Sequence, residues 1–323
     1  MLHFTLYIKN LIVNTSYTIF CRSFVLMLLI GSCLTPFNAQ VKLWGLTSSG
    51  GQGAGSIINM DEDGTNFSSV HFPFNEGRSP SADLLNASNG KFYGMTTDGG
   101  NNFSGVIFEY NTVTNAYQVL HHFTQGSNPK GSLIEMNGNL IGQTSGGGNN
   151  DLGVIFEYNL ATNNYVVLYE FGSSIGDGTS PQGSLVQLSG KLYGMTLGGG
   201  ANDFGTIFQY DPSTDIHTVI HSFTDIEGSY PYGSLLVSGQ SLLGLTSSGG
   251  DFLSGVLFDY NIEAGSIDIL HHFETGSPFG SLIMYDGKFY GMTASGGENF
   301  AGSIFEYDRS EERRVGKECR SRW

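Results

Sequence analysis

Histidines at regular intervals are the first residues of this sequence that could support chemistry. Three histidine motifs each stand just before a phenylalanine: His121-His122, His221 and His271-His272. Imidazoles on adjacent strands can bind a metal ion. However, Tyr169-Glu170 stands in the same place in another copy of the pattern, and equivalent positions of successive copies radiate apart. We therefore expect these histidines to be packing or surface residues.

Acidic residues recur in the same way, one in each copy of the pattern: Glu109, Glu157, Asp259 and Glu306, with Gln209 in one copy. A glycosidase needs two carboxyl groups about 5 Å apart, or about 6.5–9.5 Å apart. Residues spread one per repeat on a middle strand do not meet that requirement. We expect a solvated strand face or a repeated polar contact with the next repeat, and we assign no catalytic residue.

Two segments have the composition of calcium loops. Residues 61–66 begin like such a loop but lack the bidentate glutamate at position 12, and Asp63-Gly64 favours a tight turn. Residues 146–151 are similar to calcium-binding nonapeptides, yet their spacing differs. The sequence also lacks a phosphate loop, a G-x-S-x-G elbow and an H-E-x-x-H motif. We therefore predict neither a metal nor a cofactor.

The elements that carry these residues belong to one motif that is repeated six times. It reads Leu-Tyr-Gly-x-Thr, then Gly-Gly, then Gly-x-Ile-Phe-x-Tyr, and its copies are 47–52 residues apart. Its anchor glycines are Gly45, Gly94, Gly142, Gly194, Gly244 and Gly291. Each copy holds four short apolar runs between turn residues, which we name strands a, b, c and d.

Four strands per repeat of about 50 residues predict an all-β fold, a β-propeller of four-stranded blades. Five to six blades are present, in a ring that we expect to be truncated and open. A stacked β-solenoid is the alternative. Residues 41–47 form the first strand b, so we expect the C-terminal end to supply strand a of that blade. A Gly-Gly pair after strand b also resembles the kelch blade, without its usual Tyr and Trp.

Binding residues are expected on the loops of one face. In an up-and-down blade the b–c and d–a loops emerge together, and loops on a rigid scaffold commonly carry function. The candidate ligand-binding residues are Tyr230, Tyr232, Asn149, Asn150, Asp151, Asn202 and Asp203. Aromatic rings beside amides and carboxylates suit sugars or peptides, although turns also require Asn and Gly.

The two ends differ from the repeats. Residues 1–39 contain no acid, and Arg22 precedes an apolar run at 24–30, which predicts an N-terminal signal peptide and export. Cleavage before Gln40 and lipidation of Cys33 remain alternatives. Residues 309–323 hold six basic residues and read like a translated sequencing adapter, so we treat them as a non-native tail.

The repeat domain at 40–308 is strongly acidic. It holds six Lys and Arg against 26 Asp and Glu, a net charge near −20, and no cysteine. Such a field repels phosphate backbones and anionic membranes, so nucleic acid is not an expected partner. Membrane attachment is expected only through a lipid or a C-terminal anchor, and no obligate oligomer is predicted.

The motif resembles the GloVer tandem repeat, and residues 192–211 (LYGMTLGGGANDFGTIFQYD) are close to its signature. The resemblance spans about residues 41–308 and implies an exported bacterial protein with a surface anchor, but no activity. We expect a non-catalytic, secreted or surface propeller that binds a glycan, a peptide or a surface partner. The alternatives are a polysaccharide-active enzyme, with Arg78 and Lys130 breaking the repeat, and a structural spacer.

Overall fold

The computed structural model describes residues 42–50, 53–73, 75–297 and 300–309, and the backbone of a strand at Leu2–Leu6. The described chain is all-β, and its strands form six small antiparallel sheets arranged as a six-bladed β-propeller. The predicted fold class is therefore confirmed. Among the described residues, no helix is long and apolar enough to cross a membrane.

Blades 1 to 5 follow the order a-b-c-d, the described part of blade 6 has strands a, b and c, and every neighbouring pair is antiparallel. Strands a are Leu2–Leu6, Leu85–Asn86, Ile134–Met136, Val186–Leu188, Leu236–Ser238 and Ile283–Tyr285. Strands b are Lys42–Thr47, Phe92–Thr96, Asn139–Thr144, Lys191–Gly199, Ser241–Leu245 and Lys288–Thr293. Strands c are Ser56–Asp61, Val106–Asn111, Val154–Asn159, Thr206–Asp211, Val256–Asn261 and Ser303–Tyr307. Strands d are Ser68–His71, Ala116–His122, Asn164–Glu170, Ile216–Ser222 and Ser266–His272.

Turn residues account for the tight a–b connections. Asn137 and Gly138 both have positive φ, 54° and 78°, as a two-residue type I′ hairpin requires. Ser189-Gly190 and Asp286-Gly287 adopt the same conformation. These dipeptides set the register between strands a and b, for example Met136 opposite Asn139.

The apolar core lies between blades rather than within them. Five clusters of buried residues each combine side chains from two successive blades. The anchor glycine makes room for the phenylalanine of strand c, because a Cβ on Gly194 would lie 2.5 Å from Cζ of Phe208. The repeat therefore encodes the contact between blades as well as the strands.

The pairing of strand c with strand d shifts register at the same place in blades 2 to 5. One residue of strand d bulges out of register, and these residues are Leu120, Leu168, Ile220 and Leu270. A β-bulge bends its strand and re-aims neighbouring groups. Two of the bulge carbonyls consequently meet tyrosine hydroxyls of the next blade, at Leu120 and Ile220.

Proline, glycine and serine join the blades close to the axis. Each repeated proline packs on the glycine that precedes strand c of the previous blade; a Cβ on Gly153 would lie 2.9 Å from Cδ of Pro181. Further on, each serine of the Gly-Ser pair accepts a hydrogen bond from the previous blade. This serine belt runs through Asp83 N to Ser132 Oγ, Ser132 N to Ser184 Oγ, Ser184 N to Ser234 Oγ, and Ser234 N to Ser281 Oγ, at 2.7–3.0 Å.

The two terminal blades differ from our expectations and from the inner blades. Leu2–Leu6 pairs with Lys42–Thr47 and fills position a of blade 1, which we expected the C-terminal end to supply. An unpaired strand edge accepts any extended segment, which explains the difference. In blade 6, Ile304 is 66% exposed, whereas its counterpart Ile155 is fully buried by the next blade. Blade 6 therefore presents an uncovered apolar face.

Candidate ligand-binding face

The b–c loops are rigidly tied by the repeated threonine at the end of strand b. Thr144 Oγ1 donates to the carbonyl of Gly146 at 2.8 Å and accepts from Val154 N at 3.3 Å. The same bonds recur at Thr96, Thr246 and Thr293. The loop conformation is thus part of the scaffold, and ligand binding would not have to order it.

The predicted Asn and Asp residues of these loops make local hydrogen bonds. Asn150 Nδ2 donates to the Gly172 carbonyl and Asn202 Nδ2 to the Phe223 carbonyl, both at 3.0 Å. Asp151 and Asp203 each accept a glycine N–H four residues earlier, at 2.8 Å, with φ near 60°. These side chains therefore shape the loops, and their role in binding remains a prediction.

An open cavity of about 400 Å³ lies between a d–a loop and a b–c loop, at blade 3. One wall is the d–a loop from Thr124 to Ser127, which connects blade 2 to blade 3. The other wall is the b–c loop of blade 3. Asn149 and Asp151 line it, as do Glu170, Ser104 and Gln125. The structure thus brings two predicted residues into one polar pocket, whereas Asn202 and Asp203 belong to the next blade.

Glu170 is a pocket residue that our sequence analysis did not single out as a binding residue. Its carboxylate accepts the N–H of Asn149 at 3.0 Å. In blades 2 and 5 the second histidine does the same, since His122 Nδ1 accepts from Asn101 N and His272 Nδ1 from Asp251 N. The replacement of His by Glu was visible in the repeat alignment. It gives blade 3 an extra carboxylate at the cavity.

His121, the first histidine of the pair in blade 2, packs between blades. His121 stacks on Tyr165 of the next blade, with ring centroids 4.2 Å apart and planes at 5°. Burial, with His122 nearby, lowers the pKa of His121. Among the described residues, no group of three or more His, Cys, Asp or Glu side chains is placed to hold a metal ion.

Two of the strand c acids contact their own blade, whereas Asp259 of blade 5 forms an ion pair with Arg309, which follows strand c of blade 6. Glu109 accepts from Lys91 Nζ at 2.7 Å and from the Tyr93 hydroxyl at 3.0 Å. Glu306 does the same with Lys288 and Tyr290. Because strands b and c of a blade pair directly, the partners of Glu109 and Glu306 come from strand b or the residue just before it.

The long loop at 172–182 is organised by one buried carboxylate, Asp177. It accepts hydrogen bonds from Gly178 N at 2.7 Å, Ser173 N at 3.1 Å and the Tyr169 hydroxyl at 2.8 Å. Burial raises the pKa of Tyr169 to about 12, so its hydroxyl remains a donor. Sequence analysis did not identify this residue. The sequence signal for it was Tyr169, which stands in blade 3 where other repeats have a histidine.

The two predicted tyrosines have different surroundings. Tyr230 has φ of 57° and is 41% exposed, and its ring meets Phe204 edge-on at 6.1 Å. Tyr232 is half-buried and stacks on Phe279 of the next blade at 4.2 Å. Cys33, the alternative lipidation site, lies outside the described residues.

Of the two basic residues that break the repeat, Arg78 is accounted for. It forms an ion pair with Asp98, and backbone hydrogen bonds join the same two residues. Arg78 and a backbone N–H therefore hold the pKa of Asp98 below its usual value, against the effect of burial. This pair fixes a b–c loop to the preceding d–a loop.

Solved structures with the same fold are distant in sequence. A chain of the crystal structure of a nidogen/laminin complex matches with a TM-score of 0.53 at 14% identity, over 84% of this chain and 89% of that one. TolB from Acinetobacter baumannii matches with a TM-score of 0.51 at 13% identity, over 82% of this chain and 60% of TolB. This chain thus covers less than two thirds of TolB, and both likenesses concern the fold alone.

No curated protein matches the chain. In contrast, the sequence profile of the Gloeobacter/Verrucomicrobia repeat matches residues 35–252 and 218–318, which together span most of the chain. The match includes every repeat whose strands are described above. The chain therefore belongs to the Gloeobacter/Verrucomicrobia repeat family.

Proposed function

We propose that this protein is an exported, non-catalytic binding propeller that recognises a glycan, a peptide or another surface partner through its b–c and d–a loops. The observation that supports this most directly is the cavity at blade 3. It lies on the face expected to bind, between loops whose backbone is already fixed by Thr144 and Asp151. A preformed polar site avoids the entropic cost of ordering loops on binding.

The lining of the cavity fits a polar ligand. Hydroxyl, amide and carboxylate groups from Ser127, Asn149 and Glu170 offer both donors and acceptors to sugar hydroxyls or peptide groups. Export is supported by the N-terminal segment in the sequence. In the full chain, Leu2–Leu6 forms strand a of blade 1, so cleavage before Gln40 would leave that position open.

The test is a binding screen against glycan and peptide arrays with two matched variants. Glu170→His places the residue of blades 2 and 5 in the pocket, which keeps an acceptor for Asn149 N while it removes the carboxylate. Asn101→Ala in blade 2 is the control for Asn149→Ala. We expect Glu170→His and Asn149→Ala to weaken binding with unchanged unfolding midpoints, and Asn101→Ala to have no effect.

Three results would contradict the proposal. A bound partner that is indifferent to both pocket variants would place recognition elsewhere. Turnover of a polysaccharide would favour the enzymatic alternative. Wild-type protein that binds nothing on either array would favour a structural spacer.

A further inference from the structure

In blades 2 to 6, one position differs in every copy although the residues around it form the contacts between blades. It follows the repeated proline and precedes the residue that joins the blades at the axis. The five residues there, which we call the mouth residues, are Ser81, Lys130, Gln182, Tyr232 and Phe279. They offer a hydroxyl, an ammonium, an amide and two aromatic rings at equivalent sites.

The mouth residues lie beside the axis because successive blades touch directly after them. A Cβ on Gly131 would lie 2.0 Å from the Gly183 carbonyl oxygen, and one on Gly233 would lie 1.8 Å from that of Gly280. No other residue type fits without a shift of backbone. Ser81 Oγ also donates to the Lys130 carbonyl at 3.3 Å, which ties neighbouring mouth residues together.

Lys130 is the unusual member of this set. Residues 40–308 hold six Lys and Arg, and five of them pair with an acid: Lys42, Arg78, Lys91, Lys191 and Lys288. Lys130, which is half-buried, forms no ion pair with any carboxylate of the described ranges. The Lys130 ammonium can attract an anionic group at short range, whereas the net charge near −20 repels anions at longer range.

An aromatic platform lies two blades further round the same mouth. The rings of Tyr232 and Phe279 stack with centroids 4.2 Å apart and planes at 28°, and Phe279 remains 43% exposed. Gln182, whose amide donates to the Ser180 carbonyl at 3.1 Å, stands between Lys130 and Tyr232 in the order of blades. Exposed rings of this kind offer an apolar surface beside polar groups.

We propose that the channel mouth binds the acidic sugar units of a polysaccharide, with Lys130 pairing with the carboxylate and the Tyr232–Phe279 platform receiving the ring. This inference rests on the proposed binding function and names its ligand class, at a site separate from the cavity of blade 3. Because the scaffold uses Pro, Gly and Ser around these positions, their side chains are available for a ligand.

The experiment uses isothermal titration of the full chain with two probes, an oligomer of galacturonic acid and an oligomer of galactose of equal length. We expect the acidic oligomer to bind more tightly at about 0.15 M salt, where the long-range repulsion by the acidic domain is screened beyond about 8 Å. Lys130→Gln should weaken its binding by about tenfold or more, because a hydrogen bond to a charged group contributes about 1.5–3 kcal/mol. Phe279→Ala should weaken both oligomers, and Lys191→Gln is the matched control on a paired lysine.

The possible results separate this inference from the proposed function. Equal affinity for the two oligomers, or an unchanged affinity in Lys130→Gln, overturns the acidic-sugar site. If the acidic oligomer does not bind while an array ligand responds to Glu170→His, the mouth proposal fails and the binding function stands. If no ligand binds in either experiment, both fail.

Discussion

The hydroxyl of Tyr260 in blade 5 donates a 3.0 Å hydrogen bond to the carbonyl of Ile220 in blade 4. Ile220 is the bulged residue of its strand, so the irregularity within one blade supplies the acceptor for the next. Tyr158 and Leu120 repeat this relationship between blades 2 and 3, at 3.2 Å. The bulge is therefore a joint between blades and not a defect of a strand.

Tyr260→Phe removes this joint and keeps the ring. Because a buried hydrogen bond contributes about 1 kcal/mol, we expect the free energy of unfolding to fall by about that amount in urea titrations. Tyr285→Phe is the control, since Tyr285 is 73% exposed and its change should have no measurable effect. Equal stability of Tyr260→Phe and wild type would show that the bond adds nothing.

Gly194→Ala tests the contact between an anchor glycine and its phenylalanine. The added Cβ would lie 2.5 Å from Phe208 Cζ, so the ring must move, and overpacking of this kind costs about 1–3 kcal/mol. Phe208→Leu frees space, so the double variant should lose less free energy of unfolding than the sum of the single variants. Strict additivity would mean that the alanine is accommodated elsewhere.

Ser184→Ala interrupts the serine belt. It leaves the N–H of Ser132, now bonded to Ser184 Oγ at 2.8 Å, without its acceptor. We expect a loss of about 1 kcal/mol in the free energy of unfolding, because the half-buried Ser132 N–H loses its hydrogen bond. Ser213→Ala, on an exposed c–d turn, should change it by less than about 0.5 kcal/mol. Similar losses in the two variants would contradict a special role for the belt.

His217 makes stability depend on pH. Burial lowers its pKa to about 4, although Asp177, 3.8 Å away, opposes the shift. Between about pH 6.5 and 4, His217 is protonated in the unfolded chain but largely neutral in the folded protein. The free energy of unfolding is therefore highest above pH 6.5 with respect to this residue, and it decreases as the pH falls through this range. The slope approaches about 1.4 kcal/mol per pH unit.

His217→Tyr introduces the residue found at this place in blades 2 and 3, Tyr117 and Tyr165. We expect the difference in free energy of unfolding between variant and wild type to change between pH 6.5 and 4 in favour of the variant. Urea titrations at several pH values measure it. A difference that does not vary with pH would mean that His217 titrates alike in both states.

The sequence was sufficient for the fold because the repeat carries the contacts of each blade. The positive-φ pair Asn137-Gly138 fixes a hairpin locally, and Gly194 with Phe208 fixes the packing across one strand pair. Both signals lie within a single repeat, and they recur. Spacing alone therefore specifies the strands, their order and the faces that pack.

The candidate site was less predictable because it depends on partners from different repeats. Asn149 and Asp151 were identified as loop residues, but their cavity also needs Gln125 from the loop before the blade. Likewise, Lys130 broke the pattern as Arg78 did, and only the structure shows that Arg78 is paired. Residue spacing does not show which charged side chains form ion pairs, because their partners come from other parts of the chain.

The serine belt also bears on how this family could diversify. Blades 3 to 6 each use a proline, a glycine and a serine at the junction, and the mouth residue between the proline and the glycine differs in every one. Single substitutions at the mouth residues can therefore alter recognition one blade at a time while the junctions persist. The residues that hold the blades together and the residues that would contact a ligand can thus change independently in evolution.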